Sequence, residues 1–127
     1  MTLKRIRLEL ARSHNHPQGS TRHGYEFTAP LKPDGHIDDA AFPTVAGGCT
    51  VHRFWEGEND EHGRLIRKGK GWAFSYAPGD DDDETGFRFA AHAFKPGEYL
   101  SVKGHDGRDH TFRVVSVHDA PLAGKLK

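Results

Sequence analysis

The chain has 127 residues, enough for one core without disulfide staples, and its 35% hydrophobic residues, 28% charged residues and 15 glycines point to a small core with many loops. Its 18 basic residues balance its 18 acidic ones, so no summed field pulls it toward nucleic acid or an anionic membrane. The lone Cys49 cannot form an internal disulfide, no apolar run is long enough to span a bilayer, and charges interrupt the N-terminal stretch where a secretory signal needs an apolar core. A soluble, cytoplasmic single domain over residues 1–127 is the expectation.

Ile6, Leu8 and Leu10 alternate with Arg7, Glu9 and Ala11, the period of a strand with one buried and one wet face. Residues 13–24 carry Asn15, Pro17 and Gly19 with no recurring apolar residue and read as an exposed loop. Tyr25 and Phe27 resume the alternation, and Lys32-Pro33-Asp34-Gly35 has the proline and glycine of a tight turn. Asp38 can cap one helical turn reaching Phe42, with Pro43 as an obstacle to extension.

After Gly48 the signals become regular. Residues 49–55, Cys-Thr-Val-His-Arg-Phe-Trp, read as a strand, 56–63 as a long acidic hairpin loop, and 64–67 as the returning strand. Trp72, Phe74 and Tyr76 stand at every second position, which places three large rings on one face of an extended segment. Phe87 and Phe89 repeat the pattern after the acidic run 80–84, Pro96-Gly97 turns the chain into a strand over 98–103, and a last strand runs from Asp109 or His110 to Val117.

Register sharpens the final hairpin. A two-residue loop at Asp106-Gly107 pairs Leu100 with Arg113 and mixes apolar with polar residues. The odd loop His105-Asp106-Gly107 pairs Leu100 with Phe112 and puts Val102 and Val114 on the same face, with Gly107 at positive φ. The fold expected is all-β: a small antiparallel barrel or sandwich of about six to eight short strands, mostly meander, with at most one short helical turn. Residues 13–48 form its loop-rich part, covering one end, 49–118 the regular meander, and 119–127 a short tail.

Ten histidines invite a metal reading. His14 and His16 point the same way in an extended segment, and His23 or His36 could supply a third ligand. No His-Glu-x-x-His or Cys-x-x-Cys spacing accompanies them, so no metal is expected and His14, His16 and His23 stand only as the weak alternative. In the acidic run, a calcium loop beginning at Asp81 matches through Asp83, Thr85 and Gly86 but meets His92 where a bidentate glutamate is needed; a solvated loop is expected there. Cys49 and His52, three apart, face opposite sides of a strand, which makes Cys49 a small core residue and not half of a thiolate dyad.

The stretch Phe94-Lys95-Pro96-Gly97-Glu98-Tyr99-Leu100-Ser101-Val102, followed by Arg113-Val114-Val115-Ser116, resembles the flavin-binding barrel of ferredoxin reductase-like oxidoreductases. In that family an arginine of the second strand meets phosphate and a tyrosine two residues on stacks on the flavin; Val115 occupies the tyrosine's place here. With only a short stretch following, no nicotinamide-binding domain is expected. The resemblance implies barrel architecture alone, and no cofactor is expected.

The aromatic residues Phe54, Trp55, Trp72 and Tyr76 could line a groove, with Arg53, Arg64, Arg67, Lys68 and Lys70 nearby as a basic face. The leading expectation is a non-catalytic domain binding an unidentified small ligand or protein, as monomer or weak homodimer, with neither nucleic acid nor membrane as partner. Trp55, Trp72, Tyr76, His92, His105 and His110 are the binding candidates. The alternative is a small metal-dependent or histidine-based enzyme in which Glu98, Asp106 or Asp109 partners His92, His105 or His110.

Overall fold

The computed structural model describes residues 3–13, 16–69, 71–76, 84–87, 92–104 and 106–120. Eight strands form among them: β1 Leu3–Leu10, β2 Ser20–Pro30, β3 Thr50–Trp55, β4 Glu61–Lys68, β5 Gly71–Ser75, β6 Glu84–Phe87, β7 Tyr99–Lys103 and β8 Asp109–Ala120. Each pairs antiparallel with the next, and β8 returns to pair with β1, closing the sheet into a barrel. The small all-β barrel is therefore the fold, and among the described residues every strand has a partner on both sides. Among the described residues no helix is long and apolar enough to cross a membrane.

Alternation sets what faces inward. Ile6, Leu8 and Leu10 of β1 lie opposite Phe27, Tyr25 and Ser20 of β2, and Tyr25 and Phe27 lie opposite Arg53 and Val51 of β3. Leu65, Trp72, Phe74, Leu100, Val102, Phe112 and Val114 complete a filled interior. Tyr25, Phe27 and Phe74 form an aromatic group, Phe74 lying 4.9 Å from Tyr25 and 5.2 Å from Phe27 between ring centroids. Trp72 and Phe74 share the inner face as their spacing requires, while Tyr76 lies just beyond the end of β5 and is half-buried.

The final hairpin has the odd register. Leu100 pairs with Phe112, Val102 with His110, and Gly104 N–H donates to Arg108 C=O at 2.9 Å around the loop. Gly107 has φ 77°, a left-handed conformation that a side chain would strain, and its N–H donates to Gly104 C=O at 3.0 Å. The turn at 32–35 also forms, Gly35 N–H donating to Lys32 C=O at 2.8 Å with Gly35 at φ 92°.

Four local expectations are corrected. The exposed loop expected over 13–24 ends early, because β2 begins at Ser20; its polar residues pair through backbone with β1, Leu10 meeting Ser20 and Glu9 meeting Gly24. A Cβ on Gly24 would come within 2.0 Å of Leu8 C=O, so this close strand approach needs glycine. The acidic hairpin loop is likewise shorter, since β4 starts at Glu61 and pairs Arg53 with it.

The helical turn α1 spans Phe42–Val45, so Phe42 starts it instead of ending it. Pro43 sits in the first turn, where its missing N–H is harmless, and Asp38 instead accepts from Ala41 N–H at 3.1 Å in the preceding turn. The fourth correction concerns Glu84, expected in a solvated loop. It begins β6 and is fully buried, because its partner in the ladder is the inward-facing Phe74. Phe89, residues 80–83 and residues 121–127 lie outside the described residues.

Residues 31–49 cover the end of the barrel where β1 begins. Ile37, Phe42 and Cys49 join the core, and Phe42 meets Trp72 edge-on at 4.8 Å. Burial pushes the Cys49 thiol up to about 11, and its Sγ donates to Val45 C=O at 3.5 Å. At pH 8 the folded protein is expected to react with an aromatic disulfide reagent on the order of 100-fold more slowly than the urea-unfolded chain. Equal rates would show Cys49 to be exposed.

A candidate ligand site at the barrel mouth

The open end gathers charged and aromatic groups. Strand β3 turns Val51 and Arg53 inward, and Arg53, in line with Tyr25 across the ladder, is only 4% exposed. An arginine so buried demands partners, since an unpaired charge in a protein interior is costly. Its Nη1 donates to Glu58 at 2.9 Å and lies 3.7 Å from Glu61, while its Nε lies 3.4 Å from Glu84. Glu84, 0% exposed, also accepts from the hydroxyls of Tyr25 at 2.9 Å and Tyr76 at 2.7 Å.

Burial opposes the charge on Arg53, but the Glu58 hydrogen bond and the field of Glu84 outweigh it and raise the guanidinium above its ordinary value. Burial first, and the Glu84 carboxylate second, push the Tyr25 and Tyr76 hydroxyls far up, so both remain donors. Arg53, Glu58, Glu84, Tyr25 and Tyr76 thus form a fixed polar floor.

Above it lies a pocket of about 70 Å³ lined by Tyr25, Arg53, Trp55, Glu58, Asp106 and His110. The Arg53 guanidinium sits 4.8 Å from the Trp55 ring, and His23 and His110 meet that ring edge-on at 4.6 and 5.6 Å. Asp106 accepts from His110 Nε2 at 3.1 Å. Burial nudges the Asp106 carboxyl upward, but the Arg108 N–H and His110 hold it below the usual carboxylate range.

Of the sequence candidates, Trp55 and His110 line this pocket and Tyr76 supports its floor. Trp72 sits elsewhere: it is buried at the covered end, between Phe42 and the Arg67 guanidinium, 4.7 Å from its ring. His92 precedes Phe94, whose N–H donates to Gly35 C=O at 2.8 Å, and so belongs to the covered end too. His105 and His14 lie outside the described residues. His16 and His23 have rings 4.7 Å apart, but among the described residues no three His, Cys, Asp or Glu side chains converge as a metal site.

Sequence reasoning passed over Arg53, Glu58 and Glu84 as parts of the floor. Alternation carried one signal, because Arg53 shares its strand face with Val51 and must turn inward if Val51 does. Among the described residues no serine, threonine or cysteine lines the pocket to serve as a nucleophile for His110. Ser20 Oγ lies 2.6 Å from His23 Nδ1 and accepts from Arg22 N–H at 3.1 Å, an arrangement local to the start of β2.

His23 is 5% exposed, and desolvation, reinforced by the neighbouring His16, lowers its proton affinity below the ordinary value of 6.5. As pH falls through about 6.5, the unfolded chain takes up this proton before the folded one does, so stability present above that pH is lost on acidification. The thermal midpoint is expected to fall between pH 7.5 and 5, and to fall less steeply in His23→Gln. Identical slopes would show that His23 is not desolvated.

No family model matches this chain, and no curated protein or solved structure matches it.

Proposed function

We propose that this protein is a ligand-binding barrel whose mouth receives the positively charged head of a small molecule, an ammonium or similar hydrogen-bond donor. The observation that carries this reading is the charge balance of the mouth. Among the described residues that line the pocket Arg53 is the one arginine or lysine, and it is already paired with Glu58, Glu61 and Glu84, while Asp106 adds a further carboxylate at the rim, beside His110 and Arg108. The excess is negative, in a recess where water is partly excluded and fields are stronger than in bulk. A volume of about 70 Å³ takes a head group and not a whole drug-sized ligand. The prepaired floor keeps the donors and acceptors in place before a ligand arrives, which lowers the ordering cost of binding.

The test is thermal unfolding in ethylammonium chloride against sodium chloride at equal ionic strength, followed by the same comparison in Asp106→Asn and Glu58→Gln. Specific binding raises the midpoint in ethylammonium alone, by mass action on the folded state, and each substitution reduces the rise. Equal midpoints in the two salts would refute the reading.

A further inference from the structure

At the opposite end of the barrel the chain forms a second concavity, of about 560 Å³, whose chemistry is the reverse of the mouth's. Its floor is apolar: Phe94 is 1% exposed, Leu31 and Val117 are partly buried against the core, and Pro33 and Pro96 form the sides. Its rim carries Lys4, Lys32 and Lys95, and among the described residues no carboxylate lines it. Lys4 is bonded to Asp119, while Lys32 and Lys95 make no ion pair among the described residues.

The walls are held by backbone hydrogen bonds. Leu31 bridges to Ile37, Lys32 N–H donates to His36 C=O at 2.8 Å, Phe94 N–H donates to Gly35 C=O at 2.8 Å, and Gly97 N–H donates to Val114 C=O at 2.8 Å. Gly35, at φ 92°, lets Lys95 lie close: a Cβ there would meet Lys95 Cγ at 3.2 Å. The aliphatic stem of Lys95 thus follows the wall while its ammonium reaches solvent. An apolar floor beneath a rim of lysines is complementary to one kind of ligand, a hydrocarbon ending in an anion.

We infer that this concavity is a binding site for a single-chain amphipathic anion, such as a medium-chain carboxylate, with its tail over Phe94, Leu31 and Val117 and its head between Lys32 and Lys95. The size falls within the range of small-molecule sites, about 300–1,000 Å³. Tail length governs affinity through buried area, and the lysines select the sign of the head. The site shares no residue with the mouth, so either can fail without the other.

Isothermal titration with decanoate below its micellar concentration tests the site, with octanoate, acetate and decyltrimethylammonium as comparisons. Decanoate is expected to bind about 15-fold more tightly than octanoate, since each of its two extra buried methylenes contributes roughly fourfold, and acetate is expected not to bind. Lys32→Glu and Lys95→Glu lie on the exposed rim, leave folding intact, and are expected to weaken decanoate binding about tenfold each. Decyltrimethylammonium binding as tightly as decanoate, or decanoate binding unchanged in both variants, would overturn the proposal. So would anionic phosphatidylglycerol vesicles competing through the same lysines more strongly than free decanoate, because the surface would then dock a membrane.

Discussion

Replacing Arg53 with methionine is expected to lower the free energy of unfolding by about 3–5 kcal/mol, the usual loss when one partner of a buried ion pair is removed. The reason lies in Glu84. It is 0% exposed and faces Arg53 Nε at 3.4 Å, so without the guanidinium a carboxylate is left in the interior beside the donating hydroxyls of Tyr25 and Tyr76. Glu58 and Glu61 lose their shared cation at the same time. The double variant Arg53→Met with Glu84→Leu is expected to recover much of the loss, because an apolar pair of similar volume carries no desolvation penalty. Urea unfolding of the unmodified protein, the two single variants Arg53→Met and Glu84→Leu, and the double variant gives the cycle. If the single substitution cost under about 1 kcal/mol, the pair would not be buried as described.

Phe74→Ala is expected to cost a similar amount, about 3–5 kcal/mol, by a different route. Phe74 has no exposed surface, and its ring lies between those of Tyr25 and Phe27 at the centre of the barrel. Truncation removes buried area and the tilted ring contacts together, and strands fixed by a closed ladder cannot collapse to refill the space. The thermal midpoint should drop by roughly 10–20 °C. A drop of only a few degrees would mean that Phe74 is not at the core's centre.

The parts of this barrel that could be read in the sequence are those where apolar residues alternate on both partners of a ladder. Leu100 opposite Phe112, with Val102 and Val114 on the same face, excludes the even-numbered loop, and Trp72 and Phe74 declare their inner face without any knowledge of their neighbours. Residues 20–24 gave no such signal. Thr21 and Arg22 face solvent, and what makes the segment a strand is backbone pairing to β1, a partner remote in sequence. Glu61 to Gly63 were hidden for the same reason.

The mouth was less legible still. Trp55 and His110 are conspicuous residues, but their meeting depends on two registers, β3 against β2 and β8 against β7, and on barrel closure. Glu84 follows four aspartates and carries the composition of a solvated run; only its position opposite Phe74 sends it inward. Polar residues turned into a core break the alternation rule on which strand reading depends, and such breaks gather where a fold is built to bind.

The most direct measurement is a proton–nitrogen correlation spectrum of the labelled protein during titration with ethylammonium chloride, referenced to sodium chloride at the same ionic strength. Saturable shifts confined to the Trp55 indole N–H, the Arg53 side chain and the backbone of Gly104 and Asp106 are the predicted result. Shifts that stay linear and are spread over the surface, with the Trp55 indole and Arg53 unmoved, would contradict ligand binding at the mouth.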